Sequence, residues 1–130
     1  MKAVVAGGRD FNDYKLLKET LDVFQQEHGN ITEVVSGGAL GADKLGERYA
    51  NENNIHIKRF VPDWEGLGKK AGHVRNRLMG DYANEHGGML VAFWDNQSRG
   101  TKGMIEYAKK IGIKSVVVYY NVEVSDAKTN

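Results

Sequence analysis

The sequence predicts one α/β domain: a mostly parallel five-stranded sheet, ordered 3-2-1-4-5, with helices on both faces in three layers. Three observations carry this. Short apolar or β-branched runs alternate with amphipathic helical patterns along nearly the whole chain, and such alternation calls for right-handed crossovers that lay helices on both sides of a parallel sheet. Glycines gather after the first four strand candidates, at Gly7-Gly8, at Gly37-Gly38 and Gly41, at Gly66 and Gly68, and at Gly100 and Gly103. That is the sheet end where ligands bind, at the switch point between the first and fourth strands. Finally, 130 residues have room for one domain.

The elements follow in order. Lys2–Ala6 is the first strand, and like the four strand candidates after it this is an unbroken apolar or β-branched run of the kind covered on both faces. The first helix shows an apolar stripe of Tyr14, Leu17, Leu21 and Phe24, with Asp13 as its N-cap and Gly29 as its stop. Thr32–Ser36 is the second strand, and the second helix runs from Ala42 to Asn53 through Leu45 and Tyr49. His56–Val61 is the third strand. A third helix, from about Lys70 to Glu85, turns Ala71, Val74, Leu78 and Tyr82 toward the sheet. Met89–Trp94 is the fourth strand; Met104, Ala108 and Ile111 mark a fourth helix that stops at Gly112, and Lys114–Tyr119 is the fifth strand. The domain thus covers 1–120, and 121–130 reads as a polar tail or an edge strand.

Composition narrows the function classes. Lys and Arg number 18 against 17 for Asp and Glu, a net charge of +1, which speaks against holding nucleic acid by a large basic field. Cysteine is absent, which excludes disulfides, thiolate zinc sites and cysteine nucleophiles. Four histidines, at 28, 56, 73 and 86, lack metal-ligand spacing, and only His73 lies near the expected crevice. Neither a metal nor a cofactor is expected. No stretch approaches the roughly 20 apolar residues of a membrane span, and the N-terminal apolar run is too short for a signal peptide. The expectation is a cytoplasmic protein without a membrane partner.

Four segments carry candidate chemistry. Ser36-Gly37-Gly38-Ala39-Leu40-Gly41-Ala42-Asp43 joins the second strand to the second helix, where glycines let backbone amides approach a phosphate. The alternative is a tight turn in which Asp43 complements the helix dipole. The spacing is not G-x-G-x-x-G, so no nicotinamide enzyme is indicated. Gly7-Gly8-Arg9-Asp10-Phe11 faces the same crevice, with Asp10 either a ligand group or a cap paired with Arg9. The third loop, residues 62–72, is long for a strand-to-helix connection, and its Trp64 can stack on a base or pack the loop down. Arg75 shares a helix face with Ala71, Leu78, Met79 and Tyr82, so it points inward and needs several carbonyls or an anion, either a ligand or one of Asp10, Asp43 and Asp95. The fourth segment, Trp94 to Thr101, sets Ser98, Gly100 and Thr101 at a helix N-terminus, though a turn capped through Ser98 would read alike. Glu106 lies on a lysine-rich polar face and reads as solvated, with Lys110 as its partner.

Taken in order, Gly-Gly-Arg-Asp-Phe at 7–11, Ser-Gly-Gly-Ala-Leu-Gly-Ala-Asp at 36–43, Pro-Asp-Trp at 62–64, Gly-Lys-Lys-Ala-Gly-His-Val-Arg-Asn at 68–76 and Ser-Arg-Gly-Thr at 98–101 resemble the SLOG superfamily. More narrowly, they resemble its YspA-like, cpYpsA-related group. The resemblance spans about residues 2 to 119 and implies a Rossmann-like domain, commonly homo-oligomeric, that binds nucleotides or nucleotide-derived ligands. Related branches include LOG enzymes, which cleave the N-glycosidic bond of nucleoside monophosphates, the DNA-processing protein DprA, and sensor domains for signals derived from NAD or ADP-ribose. By resemblance to LOG proteins, Gly37, Gly38 and Gly41 match the phosphate loop, Arg75 the arginine of the central helix, and Gly100-Thr101 the end of P-G-G-x-G-T-x-x-E. Met104 stands where those enzymes carry glutamate.

The expected function is therefore a module that senses or sequesters a nucleotide-like small molecule. Backbone amides of Gly8, Gly38, Gly100 and Thr101 would hold phosphates, Arg75 and Lys69 would neutralise them, Asn76 beside Arg75 is a further ligand-binding candidate, and Trp64 would cover the base. The alternatives are a nucleoside-phosphate glycosidase acting through Asp10 or Asp43, and a DprA-like nucleic-acid-binding module.

Overall fold

The apolar run that opens the chain becomes the middle of the sheet. In the computed structural model, which describes residues 1–121, β1 (Lys2–Gly7) pairs with β2 (Glu33–Ser36) on one side and β4 (Met89–Trp94) on the other. Beyond these lie β3 (His56–Arg59) and β5 (Ser115–Tyr119), so the order is β3-β2-β1-β4-β5 and every pairing is parallel. The expected three-layer, Rossmann-like arrangement is what the chain forms.

Alternation along the inner strands feeds two cores, because successive strand side chains point to opposite faces. Ala3, Val5, Val34, Val91 and Phe93 pack with Leu17, Leu21 and Phe24 of α1 (Tyr14–His28) and Tyr49 of α2 (Ala42–Glu52). Val4, Ala6, Val35, Leu90 and Ala92 face the other way, toward the two later helices. There they meet Met79 and Ala83 of α4 (Ala71–Glu85) and Met104 and Ala108 of α5 (Arg99–Ile111). Asp13 caps α1 by accepting the Leu16 N–H at 3.0 Å, and Gly29 and Gly112, both at positive φ, end α1 and α5 as expected.

Three expectations need correction. The outer strands are not covered on both faces: His56, Lys58 and Arg59 of β3 are exposed, and the strand ends before Val61, which is itself exposed. Each outer strand has a single neighbour, and the helices lie mainly over the inner three. Residues 64–70 are not plain loop, since Trp64–Leu67 forms a one-turn helix, α3, and Gly68–Lys70 a 3₁₀ turn leading into α4. Asp63 starts this turn by accepting the Gly66 N–H at 2.9 Å. On α4 the inward face is Ala71, Asn76, Met79, Gly80 and Ala83, while Leu78 is 52% exposed. Bare Gly80 lets Tyr107 of α5 come so close that a Cβ would sit 2.8 Å from its ring, so small residues set the face. The tail expected from 121 onward lies, apart from Asn121, outside the described residues. No helix among the described residues is long and apolar enough to cross a membrane.

At the amino end of the sheet, buried Glu33 ties four elements together. It accepts from Lys2 Nζ at 3.1 Å and from Tyr82 Oη, and meets His56 Nδ1 at 2.7 Å. Burial alone would raise its pKa, but the hydrogen bonds from Tyr82, Lys2 and His56 outweigh it and leave the carboxyl below its ordinary value. A depressed carboxyl contributes stability that is present above the unfolded-state pKa and is lost as pH falls through the folded one. Glu33→Gln is therefore expected to cost roughly 1–3 kcal/mol at pH 7. Urea denaturation across pH should show the gap between variant and parent closing below about pH 4.

Candidate functional site

β1 and β4 lie side by side, and their following segments leave in opposite directions, which opens a crevice at their carboxyl ends. A cavity of about 490 Å³ occupies it. Its walls are the end of β1 with Arg9 and Asp10, Asp43 of α2, the Trp64 to Met79 stretch, and the Asp95 to Met104 stretch. The loops meet here backbone to backbone. Gly8 N donates to Phe93 O at 3.1 Å, and Gly8 O accepts from both Phe11 N and Ala42 N at 3.2 Å. Gly41 has φ +81°, and a Cβ there would overlap the Gly8 and Arg9 carbonyls, so both the backbone angle and the space require glycine.

Most of the expected residues come together. Gly7, Gly8, Arg9, Asp10, Asp43, Trp64, Lys69, Arg75, Asn76, Ser98, Gly100 and Thr101 all line the cavity, and so does His73. Ser36, Gly37, Gly38 and Gly41 do not. Gly37 and Gly38 line a second cavity nearby, and Ser36 is buried.

The glycine-rich loop is not the phosphate cradle its sequence suggested. Gly38 N donates to Ser36 Oγ at 3.0 Å, and Ala39 N donates to Asp43 Oδ2 at 3.1 Å. Together with the Gly8 bond to Phe93, this engages the amides of Gly8 and Gly38 inside the fold. Ser36 and Asp43 act as local caps, competing for the amides a ligand would need. Amides without a backbone partner among the described residues lie instead at the start of α5, on Arg99, Gly100 and Thr101. Ser98 holds the N-cap position but does not cap the helix; its hydroxyl pairs with Thr101 Oγ1 at 3.2 Å. Asp95 takes over the turn, its Oδ1 accepting from Gln97 N at 2.9 Å and Ser98 N at 2.7 Å, and those bonds hold its pKa low.

Arg75 points inward, as expected. Its Nη1 donates to Gly37 O at 2.8 Å and its Nε to Asn76 Oδ1 at 3.1 Å, while Asn76 Nδ2 donates to Gly100 O at 3.1 Å. Arg75 is thereby fixed between the glycine-rich loop and the start of α5. Burial lowers its pKa, Asp43 raises it and Arg9 lowers it again, with a net depression. Asp43 is 5% exposed, and burial pushes its pKa up to about 6 against the opposing pull of the Ala39 N–H and Arg75. Asp10 is exposed, accepts from Tyr120 Oη at 2.7 Å, and forms neither a helix cap nor an ion pair with Arg9 among the described residues. Trp64, half exposed, sits at the rim. Glu106 is exposed, but its expected pairing with Lys110 does not form.

Sequence reasoning missed Arg99 and Met79 as cavity residues, and missed the buried Glu47. Glu47 accepts from Ser36 Oγ at 2.7 Å and from Arg59 Nε at 2.9 Å. An acid at that position on an amphipathic helix reads as solvated until β3 is known to lie beside it. Met104 is 1% exposed and forms part of the cavity wall.

Among known proteins, the model of YAcAr, the YspA, cpYpsA-related SLOG family, matches residues 1–66. The matched span carries Gly7 to Asp10, the 36–43 loop and Trp64; Lys69, Arg75, Asn76 and the start of α5 lie beyond it. No curated protein and no solved structure matches.

A carboxyl raised in the folded state makes folding less favourable as pH climbs from its unfolded value through its folded one. Asp43→Asn keeps an acceptor for Ala39 and removes the buried charge. It should therefore stabilise the protein by roughly 2 kcal/mol at pH 8, with little gain at pH 4, in thermal melts run at both.

Proposed function

The chain belongs to the YspA, cpYpsA-related SLOG family, and from that premise we propose that it binds a nucleotide or nucleotide-derived ligand in the crevice beyond β1 and β4, holding it as a signal to be sensed or sequestered. One observation carries the reading: Arg75, the amides at the start of α5 that have no partner among the described residues, and half-exposed Trp64 converge on one cavity of about 490 Å³. Ligand pockets usually measure about 300–1,000 Å³.

The chemistry follows from the parts. A phosphate at Arg99, Gly100 and Thr101 meets three backbone donors and the positive end of the α5 dipole, worth up to about 2 kcal/mol. Arg75 faces it from α4, already oriented by Gly37 and Asn76. Lys69 and Arg99 add positive charge at the rim, and Trp64 offers an indole face to a base. The Met104 thioether supplies an apolar wall and no acid.

A second reading rests on Asp43. A buried carboxyl with a pKa of about 6 beside the cavity suits proton transfer near neutral pH. It would serve a glycosidase that cleaves the nucleotide between base and ribose.

Thermal-shift screening against nucleoside mono-, di- and triphosphates, followed by mass spectrometry of each mixture, separates the two. A ligand at 100 times its Kd adds about 2.7 kcal/mol, a shift of several degrees for a domain of this size. Binding with the nucleotide recovered intact is the expected outcome. Arg75→Gln should weaken it at least about ten-fold. Free base that appears with the parent and is lost in Asp43→Asn would replace binding with catalysis. A panel without any shift would remove the nucleotide reading altogether.

A further inference from the structure

Arg75 belongs to two cavities. With Arg9, Ala39 and Trp64 it forms the wall shared by the larger cavity and a second one of about 410 Å³. Four cations line this second cavity, Arg9, Lys44, Arg59 and Arg75, and no carboxylate does. Two buried acids behind the surface answer three of them, and Asp10, next to Arg9 in sequence, lines the larger cavity. Glu47 takes Arg59 in a hydrogen-bonded pair and lies 3.8 Å from Lys44, while Asp43 faces Arg75 from the larger cavity.

The positive charge is therefore in excess. Arg9 forms no ion pair among the described residues, and it lies close enough to Arg75 to lower that group's pKa. Two guanidinium groups gathered at one wall repel each other unless an anion sits between them. Arg59 spends Nε and Nη2 on Glu47, and its Nη1 makes no hydrogen bond among the described residues. Beside these cations stand exposed Val61 and half-exposed Trp64, apolar surface next to a basic groove.

We infer that this groove is a second anion subsite, continuous with the first through the Arg75 wall, and that the ligand is a nucleotide carrying two or more linked phosphates. This rests on reading the larger cavity as a nucleotide site. One phosphate lies at the start of α5, and the chain of phosphates passes Arg75 toward Arg59 and Lys44. A nucleoside monophosphate fills the first subsite alone.

The test is isothermal titration calorimetry of the full chain with the mono- and diphosphates of adenosine, guanosine, cytidine and uridine. The diphosphate of the preferred base is expected to bind at least ten-fold more tightly than its monophosphate. Lys44→Gln and Arg59→Lys lie in the second groove only; the latter keeps a counter-charge for Glu47. Each should cut that preference to less than three-fold while leaving monophosphate affinity within two-fold of the parent. Monophosphate binding with no gain from the second phosphate, or a preference that survives in both variants, overturns the second subsite and leaves the first standing. No binding by any nucleotide overturns both.

Discussion

The carbonyl oxygen of Gly8 is the junction on which the functional end of the molecule depends. It accepts from Phe11 at the turn toward α1 and from Ala42 at the start of α2, while its own amide is anchored to β4 through Phe93. Segments from three distant parts of the chain therefore meet at one residue. That approach is possible because Gly7, Gly8 and Gly41 lack side chains, each of which would collide with a neighbour. Their glycines serve close packing of backbone, and only through it do they serve the cavity.

Much of the architecture was legible in the sequence. The bounds of β4, the Asp13 cap and the two glycine stops follow from periodicity and local chemistry, which are short-range properties, while the strand order follows from the strand-helix alternation and the handedness of its crossovers. What stayed hidden depends on partners far along the chain. Small residues give no hydrophobic signal, so the inward face of α4 was assigned to Leu78 when Gly80 and Ala83 let it pack. Gly66 and Gly68 disguised the helical turn at Trp64–Leu67 as loop. Asp43 and Ser36 take the amides of their own loop through particular side-chain conformations, which residue identity does not specify.

Charge is sorted along the strands. At the amino end of the sheet, Glu33 gathers Lys2, Tyr82 and His56 around one buried acid. At the carboxyl end Glu47 and Asp43 are likewise buried, and four cations stand forward of them. A net charge of +1 conceals this division, because total charge reports solubility and long-range steering while the local field belongs to the placement of pairs. Burial of the acids keeps the arginines oriented, since a guanidinium tethered to a fixed carboxylate or carbonyl has few ways to turn.

The turn before α5 has a thermodynamic consequence of its own. Asp95 grips two successive amides, and Trp94 Nε1 donates to Ser98 O at 3.0 Å, so the peptide units leading into the helix are locked from both sides. Folding has already removed the conformational freedom of the donors at Arg99, Gly100 and Thr101. An anion arriving there still loses its hydration and its translational freedom, but the cost of ordering these donors belongs to the folding of the chain and is not charged against its affinity.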